Sequence, residues 1–143
     1  MTNSKPILEL KNVSKFYDIS RNIKELFTGI KPLVKAVENV SFKIFSGETV
    51  GVLGESGCGK TTLGKLILNL LKPSKGNIYF LSKDINNYEG KQIKEFKKNV
   101  QLIFQNPYDA LNPRFTIKDI LLEPLKSLDF KKENFDEMIN DSM

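Results

Sequence analysis

Histidine is absent from the 143 residues, and cysteine occurs once, as Cys58. A lone cysteine permits no intrachain disulfide, and a reducing, cytoplasmic compartment is the expected home. Without histidine the usual activator of a thiol nucleophile is missing, which sets aside covalent catalysis by Cys58. Long apolar runs are missing too, since none approaches the ~18 residues a membrane helix needs. The opening "MTNSKPILELKNV" has no apolar stretch of signal-peptide type. Membrane contact is therefore expected only through a partner. Arginine is scarce, with Arg21 and Arg114 alone, so the net charge of +5 comes from lysines spread along the chain. A nucleic-acid face shows clustered charge interleaved with aromatic platforms, and this chain shows neither; no nucleic-acid partner is expected.

With 40% hydrophobic and 27% charged residues, the composition is that of an ordinary globular domain. "PILELKNVSKFYD" places Leu8, Leu10 and Val13 as the apolar positions of an early strand. Arg21 to Lys35, punctuated by Gly29 and Pro32, reads as a long loop or a short helix and turn. Val40, Phe42 and Ile44 alternate with polar residues as in a half-buried strand, and Ser46 and Gly47 form a turn. Thr49 to Leu53 is a short apolar run, expected to be a strand buried on both faces. Leu63, Leu66, Ile67, Leu70 and Leu71 form one helical stripe, with Pro73 and Gly76 as its expected stops. "NIYFL" and "NVQLIFQ" read as further strands with the helix "KQIKEFKKN" between them. Asn-Pro turns follow at Asn106 and Asn112, and Thr116 with Asp119 forms the N-cap of "IKDILLEPLKSL". The order is antiparallel β, then strand–loop–helix, then more α/β.

The chemistry sits in "GVLGESGCGKTTLGKLILNLL", from Gly51 to Leu71. Gly54 to Thr61 fits G-x-x-x-x-G-K-[ST], the P-loop. Its glycines let main-chain N–H groups close on phosphate oxygens without an intervening Cβ, and the positive end of the next helix adds to that field. Glu55, Ser56, Gly57, Cys58 and Gly59 supply the cradle. Lys60 brings a cation to the β- and γ-phosphates, and the Thr61 hydroxyl is the candidate Mg²⁺ ligand, followed by Thr62. A buried strand before the turn and an amphipathic helix after it complete the setting for a nucleoside triphosphate with Mg²⁺.

Two stretches, "GETVGVLGESGCGKTTLGKLILNLLKPSKGNIYF" and "VQLIFQNPYDALNPRFTIKDILLEPL", resemble the ATP-binding subunits of ABC transporters. The second, through "FQNPYDALNPR", is most similar to the oligopeptide and dipeptide uptake group. The resemblance spans roughly residues 6 to 125, leaving 126–143 as a polar tail expected to fray. It implies a P-loop NTPase of the α/β class: an incomplete RecA-like parallel-sheet core, an N-terminal antiparallel β subdomain and the start of a helical subdomain. It further implies that Gln105 is the Q-loop glutamine, contacting Mg²⁺ and relaying the nucleotide state to the permease. A side-chain amide suits that task because it offers a carbonyl ligand and a donor without adding charge. Tyr17 occupies the position of the family's adenine-stacking aromatic, with Phe16 as its competitor. Departures from the pattern are Thr61 in place of serine, Asn106 in place of aspartate, and the Arg21–Lys35 insert.

The resemblance also implies partners: transmembrane permease subunits and a second ABC ATPase subunit, with this chain peripheral on the inner face of the membrane. Other family features have no counterpart in the sequence. "LSKD" at Leu81 lacks the glycines of the LSGGQ signature and precedes Gln105, and Asp136–Glu137 follows no apolar strand. With no histidine either, no catalytic residue is assigned, and the chain reads as the front portion of such an ATPase, binding ATP with negligible turnover. In that frame Val50, Val52 and Leu53 are expected at an unpaired apolar edge. A non-hydrolysing nucleotide-binding or permease-docking module, or the product of a degenerate gene, are the alternatives. A small-molecule kinase would not explain the Gln105 segment.

Overall fold

The computed structural model describes residues 5–18, 33–106, 108, 111–130 and 135–142. It divides into two units, Met1–Tyr88 and Glu89–Met143.

The first unit is built on an antiparallel sheet of β1 (Leu8–Asp18), β2 (Leu33–Ile44), β3 (Lys75–Phe80) and β4 (Lys83–Asp84), in the order β2-β1-β3-β4. In β1, Leu8 and Leu10 are buried and the intervening Glu9 is not, as the two-residue period of a strand requires. That alternation breaks at Asn12, whose φ of 50° marks a bulge, so that Val13 and Ser14 are both buried. The bulge shifts the register of β1 against both β2 and β3. Gly76 permits the approach of β3: with φ at 80°, an added Cβ would lie 2.3 Å from the Asn12 carbonyl oxygen and 2.4 Å from that of Lys11. Beside it, the buried Ser14 hydroxyl accepts from the Asn39 N–H at 2.9 Å.

Helix α1 (Lys60–Ile67) contributes Leu63 and Leu66 to a core with Leu10, Val13, Val37, Ile78 and Ile85. It ends sooner than its stripe of leucines predicts. Asn69 takes the left-handed conformation at φ 54°, its N–H donates to Leu66 O at 3.0 Å, and Leu70 N–H donates to Lys65 O at 2.9 Å. This is a Schellman closure with asparagine in glycine's usual place. Leu70, beyond the cap, is exposed. Pro73 and Gly76 therefore come after a stop that is already made.

The second unit holds α2 (Lys91–Asn99), α3 (Ile117–Ser127) and α4 (Phe135–Ser142). Phe96 of α2 is buried, and Lys94 pairs with Asp129 at 2.5 Å. At the start of α3, Thr116 and Asp119 form the reciprocal capping box that their spacing predicts. Within 126–143, Ser127 closes α3, and Phe135 and Ile139, one helical turn apart, are buried on α4.

Two expected strands do not form. Thr49–Leu53 carries no strand, with Val50 and Val52 half exposed and Leu53 96% exposed. "NVQLIFQ" behaves alike beyond Asn99, with Ile103 92% exposed. A strand exists by virtue of its ladder, and no described segment pairs with either run. The parallel-sheet core is thus not assembled among the described residues. The Arg21–Lys35 stretch also differs from its loop reading where it is described: Leu33 to Lys35 belong to β2, paired with Asp18, Tyr17 and Phe16, and residues 21–32 lie outside the described residues.

Candidate phosphate-binding site

Gly54 to Thr62 turn from the unpaired run at 49–53 into α1. Cys58 N–H donates to Glu55 O at 3.4 Å, and Gly57 and Gly59 take left-handed conformations at φ 82° and 97°. Gly59 seats the loop on the sheet, since a Cβ there would lie 2.0 Å from the Ala36 carbonyl oxygen of β2. Gly59 is also the N-cap of α1, with no side chain to bond the first-turn N–H groups and no acidic residue in that turn. An uncapped helix start of this kind is a site for an anion. At Gly54, an added Cβ would meet Cys58 Sγ at 2.6 Å, so the loop closes tightly on itself.

Lys60 spans the turn. Its ammonium donates to Gly54 O at 2.7 Å and Glu55 O at 2.6 Å and stands 3.6 Å from Cys58 Sγ. The cation thereby staples the two ends of the loop together. Beside it opens a cavity of about 380 Å³ bounded by residues 56–62 and by Val34, Lys35 and Ala36 of β2. Among the described residues its charged lining is Lys35, whose ammonium pairs with Glu38 at 2.5 Å, and Lys60. The donor set, the helix start and the Lys60 ammonium fit a phosphate chain.

Ser56, Gly57, Cys58, Gly59, Lys60, Thr61 and Thr62 are brought together around this cavity, while Gly54 and Glu55 hold Lys60 through their carbonyls. Cys58 is exposed, and its place in the turn is defined by its backbone. Tyr17, near the end of β1, pairs with Val34, which lines the cavity, and is 38% exposed. Phe16 lines a separate cavity with Asn39 and Lys75. Gln105 lies in the second unit, exposed, just beyond the unpaired run that ends at Phe104. The sequence reading missed the wall given by β2: Val34, Lys35 and Ala36 have no local signal, because only the fold brings them to residues some twenty positions later.

A protein-family model described as ABC transporter matches residues 37–142, most of the chain. The chain belongs to the ABC transporter family. Two curated ABC relatives are the oligopeptide transport ATP-binding proteins OppF of Haemophilus influenzae, 45% identical over 124 residues, and AppF of Bacillus subtilis, 44% identical over 126 residues. Each alignment takes in 87% of this chain and 37% of the relative, so the chain spans little more than a third of their length. Among solved structures, the ATP-binding cassette MJ0796 in a dimeric post-hydrolysis state with ADP and Pi matches with a TM-score of 0.71 and 25% identity. That match covers 94% of this chain and 54% of that one. The ABC cassette fold accounts for both the antiparallel β subdomain and the helical second unit, as part of a larger domain.

Proposed function

We propose that this ABC chain is the nucleotide-binding front of the ATP-binding subunit of a peptide importer, taking Mg·ATP at the P-loop cavity. The observation that carries the reading is the seated P-loop: Gly59 against Ala36, an uncapped α1 start, and Lys60 poised beside the cavity. In this reading the loop N–H groups and Lys60 hold the β- and γ-phosphates, the Thr61 hydroxyl would hold Mg²⁺, and Tyr17 receives the adenine. Mg²⁺ would offset phosphate charge and orient the terminal phosphoryl group. Among the described residues the cavity lining holds no carboxylate to serve as a general base, and the residues named here bind and orient.

Gln105 would relay the nucleotide state to transmembrane permease subunits, and a second ABC ATPase subunit would face the bound nucleotide. The names of the two curated relatives support a peptide as the transported solute. No helix among the described residues is long and apolar enough to cross a membrane, which suits attachment through a permease at its cytoplasmic face.

The test is a thermal melt of the chain with and without Mg·ATP, beside Lys60→Ala. Ligand at 100 times its dissociation constant stabilises a one-site binder by about 2.7 kcal/mol. A rise in Tm in the wild-type chain, lost in Lys60→Ala, is expected. Equal melts with and without nucleotide in the wild-type chain refute the reading.

A further inference from the structure

Lys15 lies two residues before Tyr17 on β1. Its ammonium stands 5.5 Å from the centre of the Tyr17 ring and donates to the Lys72 carbonyl oxygen at 2.8 Å. The lysine is therefore anchored at both ends, by its strand and by a main-chain acceptor beyond the end of α1. Lys11, which faces the Tyr79 ring, has its ammonium paired with Glu9 instead.

From this arrangement we infer that Lys15 is a positioning residue for base recognition: it backs one face of Tyr17 and leaves the other face to receive adenine. The inference rests on the reading of Tyr17 as the adenine-stacking ring. An exposed tyrosine near the end of a strand has rotamer freedom, and a base that stacks on it must first order it. A tethered cation against the ring does that ordering before ligand arrives, through attraction to the ring's negative face. A neutral chain of similar length fills the same space and exerts no such pull. Tyr17 pairs across the strands with Val34, which lines the P-loop cavity. Lys15 thus contributes to binding of the base and nothing to binding of the phosphates.

The experiment compares dissociation constants for Mg·ATP and for magnesium tripolyphosphate, which has no base, by titration calorimetry. The proteins are the wild-type chain, Lys15→Met, Lys15→Arg, Tyr17→Ala and the double variant Lys15→Met/Tyr17→Ala. Lys15→Met is expected to weaken ATP binding about three- to tenfold, the equivalent of about 0.7–1.4 kcal/mol, and to leave tripolyphosphate binding unchanged. Lys15→Arg, which also stacks on an aromatic face, should retain wild-type affinity. In the Tyr17→Ala background Lys15→Met should have no further effect. A Lys15→Met variant that loses both ligands alike, or whose loss adds in full to that of Tyr17→Ala, overturns the inference. If Tyr17→Ala weakens ATP and Lys15→Met does not, the inference fails while the reading of Tyr17 stands. If Tyr17→Ala binds ATP as the wild type does, that reading is itself refuted and the inference goes with it.

Discussion

Replacing Gly59 by alanine separates two demands that the P-loop makes on its glycines. The residue stands at φ 97°, where an L side chain costs about 1–2 kcal/mol. The added Cβ would also lie 2.0 Å from the Ala36 carbonyl oxygen, well inside any tolerable contact. The obstructing atom belongs to the main chain of β2, which is paired with β1, and cannot turn aside as a side chain would. Forced overpacking of this kind costs about 1–3 kcal/mol more, for a total of about 2–5 kcal/mol. Gly57 is the control. It is left-handed too, at φ 82°, but a Cβ there meets no atom within 4 Å, so Gly57→Ala should cost only the conformational part, about 1–2 kcal/mol.

Urea unfolding of the two variants gives the comparison in stability, and Mg·ATP titration gives it in affinity. If β2 resists, Gly59→Ala shows the larger loss of stability. If the loop lifts from β2 instead, its larger loss appears in nucleotide binding, because Val34, Lys35 and Ala36 then no longer wall the cavity. A Gly59→Ala protein that matches Gly57→Ala in both measurements would refute the claim that contact with Ala36 sets this site.

Gly64, inside α1, is the opposite case: a Cβ there meets nothing within 4 Å and its φ is not positive, so Gly64→Ala should raise the urea midpoint by a gain of about 0.5–1 kcal/mol, and a drop would show a packing demand at that position. At α3, the Thr116 hydroxyl and then its N–H, at 2.6 and 3.1 Å, donate to the Asp119 carboxylate and hold it below the usual carboxylate range, against slight desolvation and with help from Lys126. A folded value below the unfolded one contributes stability above about pH 4 that is lost as pH falls through the folded value. Circular dichroism from neutral to acid pH should show helix lost at the acid end, and Thr116→Ala, costing about 1 kcal/mol, should flatten that dependence; an unchanged profile would remove the cap from the account.

What was legible in the sequence and what was not divides along the range of the interactions. Helix α2 and the Thr116–Asp119 cap follow from residues within one or two turns of each other, and the P-loop from eight consecutive positions; each signal carries its own cause. The end of α1 was local as well, but it lay in the left-handed backbone of Asn69, a conformation that asparagine allows and does not require. The two missing strands are of another kind. In Val50–Leu53 and Leu102–Phe104 the apolar composition reports that a surface wants covering, and says nothing of where the cover lies. Composition sufficed to mark these residues as interior to something, whereas a strand needs neighbouring N–H and C=O groups at fixed spacing. The same reasoning explains why Lys15, Val34 and Ala36 escaped notice. Nothing about a lysine two places before a tyrosine, or an alanine in mid-strand, announces contact with that ring or with the P-loop. Val34 and Ala36 come to the P-loop because β2 pairs with β1 through a register that shifts at Asn12 and again on either side of Lys15, and because Gly59 can lie directly on Ala36. In this chain the P-loop pattern is written locally, while the walls of the cavity beside it are set by the pairing of distant strands.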